Sequence, residues 1–129
     1  MQLSSPPVRH RLSASEFERM AQAGILAEDE RVELIDGDLI DMTPVGSRNA
    51  GAVSRLTRAF SVAVGGDAMV SVQNPIRLDR HSQPQPDLAL LRPRADFYAD
   101  AHPQPADVLL IVEVAEASLD YDRDVKVPL

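Results

Sequence analysis

The chain has 129 residues, 44% of them hydrophobic, which is enough for the core of one domain and too little for two. It contains no cysteine, which excludes a disulfide framework, a thiolate metal site and a cysteine nucleophile, and fits a reducing cytoplasm. The net charge of −7 excludes broad electrostatic capture of nucleic acid, so any such contact must be local or bridged by a metal.

No apolar run approaches the length of a membrane span, and "MQLSSPPVRHRLSASEF" lacks the apolar stretch of an export signal. A soluble cytoplasmic protein with no membrane contact is expected. Next, "SASEFERMAQAG" sets Ser13 and Glu16 in capping-box spacing, places Phe17, Met20 and Ala21 on one face, and ends on Gly24, which predicts a short amphipathic helix. "RVELIDGDLIDM" is two short runs joined by Asp36-Gly37, the strongest short hairpin signal. From Arg48 to Val64, the apolar Val53, Leu56, Phe60 and Val64 recur at helical spacing, and Gly65-Gly66 closes the segment. Arg48, Arg55 and Arg58 fall outside that stripe, where solvation is the simplest reading and phosphate contact the alternative.

"MVSVQNPIRL" predicts a strand broken at Asn74-Pro75, and "PDLALL" a second strand opened by proline. A long irregular stretch, "RPRADFYADAHPQPAD", leads to "LLIVEVA", residues 109 to 115, whose continuous apolar run predicts a fully buried strand. The acidic "AEASLDYDRDVKVPL" then looks like a loop entering a helix. Its alternating Asp120, Asp122 and Asp124 are not a calcium loop, because Val125 stands where the turn glycine is required. His10, His81 and His102 are widely spaced and match no ligand pattern. The order suits a single α/β or α+β unit.

Glu113 is the anomaly in its apolar strand. A carboxylate there must be protonated, paired, bound to a cation, or turned to solvent on an open sheet face. If "PDLALL" and "VLLIVEV" pair antiparallel, the start of one lies beside the end of the other, and Asp87 and Glu113 meet at one sheet edge. Two such carboxylates repel unless a hard divalent cation such as Mg²⁺ lies between them. Residues 61 to 129 carry eleven Asp and Glu against six Lys and Arg, so the acid surplus lies on this half. Lys126, the sole lysine, follows Glu113 by thirteen residues. It is either a solvated helix-surface residue or a cation able to contact an attacking water or a phosphate oxygen.

The stretches "ELIDGDLIDMTP", "NPIRLD", "QPQPDLALLRP" and "DVLLIVEVAEASLDYDRDVKVPL" resemble the Uma2 family of the PD-(D/E)XK nuclease superfamily, from about Arg31 to the end. The resemblance implies an α/β (α+β) fold: a restriction-endonuclease-like mixed sheet core preceded by an N-terminal helix and β-hairpin. It also implies Mg²⁺ or Mn²⁺ as cofactor and phosphodiester hydrolysis in nucleic acid, DNA in preference to RNA. Asp87 then matches the PD aspartate and Glu113 the acidic residue of the (D/E)XK strand. Val114 and Ala115 occupy the X-Lys positions, so the lysine role passes to Lys126 on the following helix. With the Val114 carbonyl, Asp87 and Glu113 would hold the metal; Glu33 matches a recurring acidic position, as a further ligand, a supporting partner, or an exposed hairpin carboxylate.

Two departures from the family pattern are visible. Asn49 stands where relatives usually carry a histidine, and the chain stops at Leu129, where relatives continue through the helix into another strand. The expectation is therefore one domain, residues 1–129, truncated at its C-terminus with the last helix and strand incomplete, and self-associating as a homo-oligomer through the uncovered surface. The alternative to a nuclease is a catalytically inactive remnant, an interaction module keeping the fold.

Overall fold

The computed structural model describes residues 5–27, 30–42 and 46–114. In them the chain is mixed α+β: two helices, a two-stranded hairpin and a three-stranded antiparallel sheet. No described helix is long and apolar enough to cross a membrane.

Helix α1 spans Ala14–Gln22. Ser13 Oγ accepts from the Glu16 N–H at 3.1 Å, and Glu16 Oε1 accepts from the Ser13 N–H at 2.8 Å, so the predicted capping box forms. The Ser13 N–H and then His10 hold the Glu16 carboxyl at about 2, below its usual 4.5. Because that value is depressed on folding, what Glu16 contributes to stability is present above pH 4.5 and fades as the pH falls toward 2. Ser13→Ala is expected to cost about 1 kcal/mol, read as a lowered denaturation midpoint at neutral pH. Ala14 and Phe17 form the buried face of α1, whereas Ala21, predicted to share it, is exposed.

The hairpin comprises β1, Val32–Ile35, and β2, Asp38–Asp41, with Ile35 opposite Asp38. Both turn residues are left-handed, Asp36 at φ +49° and Gly37 at φ +87°. Gly37 also touches Arg11: an added Cβ would lie 2.6 Å from the Arg11 Cβ. Val32 and Leu34 pack with Ala14 and Phe17 in one small core.

Helix α2, Ser47–Val64, begins one residue before the predicted Arg48 and ends at Gly65. Val53 is buried and Leu56, Phe60 and Val64 are half-buried, while Arg48, Arg55 and Arg58 are exposed as solvation requires. Strand β3, Met69–Val72, stops where Gln73 turns left-handed, ahead of Pro75. Strand β4, Leu88–Leu91, is buried throughout and central, with β3 and β5, Val108–Val112, antiparallel on either side. Ile76, Ala89 and Leu91 make a second core, with Met69, Tyr98 and Val108 packed against it. A short 3-10 turn, Pro105–Asp107, interrupts the stretch expected to be irregular.

The last strand differs from expectation. It ends at Val112, so Glu113 lies just past it, and it is not buried: Leu109, Leu110 and Ile111 are 48%, 43% and 42% exposed. A continuous apolar run marks a strand covered on both faces; that description suits β4, buried at all four residues, and fails for β5, whose Leu109, Leu110 and Ile111 are left partly uncovered. The helix expected after it falls outside the described residues.

A third set of contacts ties the hairpin to the sheet. Leu34 and Gln83 exchange backbone hydrogen bonds of 2.7 and 3.4 Å, the Gly37 N–H donates to His81 O at 2.8 Å, and the Asp36 N–H donates to Ser82 Oγ at 2.9 Å. The segment from Asp79 to Gln85 therefore runs along β1 before feeding β4. That path carries Glu33 toward the start of β4.

Candidate metal-binding carboxylate site

The predicted antiparallel pairing of the last two strands is present, with Leu88 opposite Val112. This register puts Asp87, immediately before β4, across from Glu113, immediately after β5. Asp87 Oδ2 accepts from the Val114 N–H at 2.8 Å, which fixes the carboxylate against the backbone beyond β5. The Asp87 carbonyl accepts from the Gln73 N–H at 3.1 Å, anchoring the same residue to the end of β3. Buried Pro86 precedes it. Proline supplies no N–H and suits a chain entering a strand at its first residue.

Glu113 has its carboxyl pushed above the ordinary range, first by partial burial and next by the negative charge of Asp87, with their side-chain contact acting the same way. The Asp87 backbone N–H works in the opposite direction, and the Glu33 charge adds a further push upward. Glu33 sits on β1, where Oε2 accepts from the Gln85 N–H at 3.1 Å. Gln85 in turn donates from Nε2 to Val32 O at 3.3 Å, so it is clamped to both residues of the hairpin.

Asp87 and Glu33 therefore both bear on Glu113, Asp87 as its close partner and Glu33 as the weaker influence. Among the described residues, no three His, Cys, Asp or Glu side chains gather tightly enough to form a metal centre unaided. A pair is nevertheless a sufficient protein contribution for Mg²⁺, which keeps several waters and takes one or two carboxylates, the remaining ligands coming from substrate phosphate. The donor chemistry fits a hard divalent cation: oxygen only, and one carboxyl resisting ionisation because it is partly buried and its neighbour is charged.

Lys126, Ala115 and the acidic run from Asp120 lie outside the described residues. The arginines of α2 are exposed, and none forms an ion pair among the described residues. The three histidines serve structural contacts: His10 Nε2 lies 3.1 Å from Glu16, His81 Nδ1 lies 3.0 Å from Leu12 O, and His102 Nε2 lies 3.6 Å from Glu18. Gln85 is the site neighbour that sequence reasoning missed, since "QPQPD" carries no periodicity and reads as a proline-rich connection.

A family model named Uma2, described as "Putative restriction endonuclease", matches residues 14–129. No curated protein matches the chain.

Proposed function

The chain belongs to the Uma2 family, and from that premise we propose that it is a metal-dependent endonuclease that hydrolyses phosphodiester bonds in nucleic acid, with DNA the preferred substrate. The observation that carries this reading is the convergence of Asp87 and Glu113 at one sheet edge, with Glu113 made hard to ionise first by partial burial and then by its neighbour's charge. In a protein without a cation, that arrangement costs stability and returns nothing.

Asp87 and Glu113 would hold Mg²⁺ or Mn²⁺, together with the Val114 carbonyl. When bound, the cation supplies an acidified water and a positive charge for the phosphoryl oxygens. The Val114 N–H orients the Asp87 carboxylate, since the 2.8 Å bond engages Oδ2 and leaves Oδ1 for other partners. Glu33, steadied by the Gln85 N–H, adds negative charge at longer range and acts as a further ligand or as the support of one. The Lys126 ammonium would orient the attacking water and offset charge on the phosphate as the bond to the incoming oxygen forms. Arg48, Arg55 and Arg58 are exposed on α2.

The test is conversion of supercoiled plasmid to nicked and linear forms. Cleavage is expected with Mg²⁺ or Mn²⁺ and none with EDTA; cleavage that persists in EDTA would remove the metal from the mechanism.

A further inference from the structure

A cleft of about 670 Å³ lies between α1 and the segment from Tyr98 to Gln104, apart from the Asp87–Glu113 pair. Such a volume is typical for a small organic ligand. Its most constrained polar residue is Gln83, only 2% exposed, whose backbone is pinned by the two bonds to Leu34. Arg77 Nε donates to Gln83 Oε1 at 3.4 Å. An arginine can only donate, so this neighbour dictates the orientation of the amide: oxygen toward Arg77, NH₂ the other way. Arg77 is itself held by Glu18 Oε1 at 2.9 Å. The result is an amide donor fixed by two successive partners, on a residue that lines the cleft.

The walls narrow the choice of occupant. Phe17 and Tyr98 offer aromatic surface, and Gln104 a further amide. Glu18, Glu30 and Asp100 outnumber Arg77, so the lining is negative and turns away phosphate and carboxylate groups. What remains is an uncharged planar ring carrying a hydrogen-bond acceptor for the Gln83 NH₂. Glutamine amides and aromatic walls are the means by which proteins read an unstacked base. Gln85 lines the same cleft while its N–H binds Glu33, so a single residue separates this cleft from the outermost carboxylate of the metal site.

We propose that the cleft between α1 and residues 98–104 binds an uncharged nucleobase, recognised by the Gln83 amide donor. The choice of a base over another heteroaromatic ring rests on the nuclease reading; the cleft chemistry does not. A base taken out of the stack beside the cut would lodge there, giving the enzyme a preference for sequence next to the cleaved bond.

Adenosine, guanosine, cytidine and thymidine would be titrated separately into the ¹⁵N-labelled chain, without metal. At least one is expected to shift the Gln83 side-chain amide and the Tyr98 resonance, with intermolecular Overhauser contacts to the Gln83 NH₂. Gln83→Glu keeps an oxygen toward Arg77 but puts an acceptor in place of the donor, and should weaken that nucleoside about tenfold or more. No nucleoside reaching the cleft, no Overhauser contact at Gln83, equal binding by Gln83→Glu, or tighter binding of the 5′-monophosphate would each overturn the proposal. Mn²⁺ uptake, measured on the same samples, reports separately on the nuclease reading.

Discussion

Asp87→Ala is expected to abolish Mn²⁺ binding and reduce phosphodiester cleavage by about three orders of magnitude or more, the scale of losing the metal's stabilisation of transition-state charge. Asp87 is the hinge of the site for two separable reasons. Its carboxylate is one of the two close oxygen donors, and it ties the β4 entrance to the Val114 N–H at 2.8 Å. The second role is a single half-exposed hydrogen bond, worth about 1 kcal/mol, so the variant should remain folded. Removing the Asp87 charge also removes one of the two largest influences that raise the Glu113 carboxyl. An NMR titration should therefore show the Glu113 midpoint moving down in the variant. A variant that still takes up Mn²⁺ would place the metal elsewhere.

Glu113→Gln should eliminate metal binding as well, yet raise the stability of the metal-free protein at neutral pH. Burial and the Asp87 charge make the folded-state carboxyl of Glu113 harder to ionise than the unfolded one. The folded protein thus holds this proton more tightly, and the stability so gained is fully present below the ordinary carboxylate range and lost as the pH rises through the raised value. Above that raised value the wild type carries the ionised group and its repulsion from Asp87. Glutamine keeps the size without the charge, so its melting temperature should exceed that of the wild type at pH 7, with the gap closing in acid. Mn²⁺ reverses the ranking: at a hundredfold excess over Kd, the wild type gains about 2.7 kcal/mol, or about 10 °C, and the variant gains nothing. Because the cation displaces a proton, Mn²⁺ affinity should also rise with pH. A glutamine variant less stable than the wild type at pH 7 without metal would show that Glu113 makes a favourable structural contact.

Much of this arrangement was legible before any coordinates, where a local rule had no competitor. Asp36-Gly37 meets the left-handed requirement of a two-residue hairpin, and Ser13 with Glu16 closes the capping box, because each depends on neighbours within a few residues. The meeting of Asp87 and Glu113 followed from a single assumption, that the last two strands run antiparallel, and the register confirms the pairing. Exposure of β5 was not legible, since an apolar run states what a strand would bury and says nothing of whether another element covers its faces. Nor was the path of residues 79–85 along β1, which brings Glu33 toward the pair. That path depends on backbone bonds between Leu34 and Gln83, forty-nine residues apart in sequence, and backbone groups leave no mark in composition. Buried Gln83 belongs to the same class: its importance comes from Arg77 and Leu34 around it rather than from any motif.

If Asp87 and Glu113 meet in order to hold a divalent cation, the metal-free chain must take one up. Calorimetric titration of Mn²⁺ into the metal-free chain, beside Glu113→Gln, decides it. The expected result is saturable uptake of Mn²⁺ by the wild type, tightening as the pH rises, and none by the variant. A folded wild-type chain that shows no heat of binding with Mn²⁺, or a variant that binds it equally well, would mean that the pair does not hold the cation.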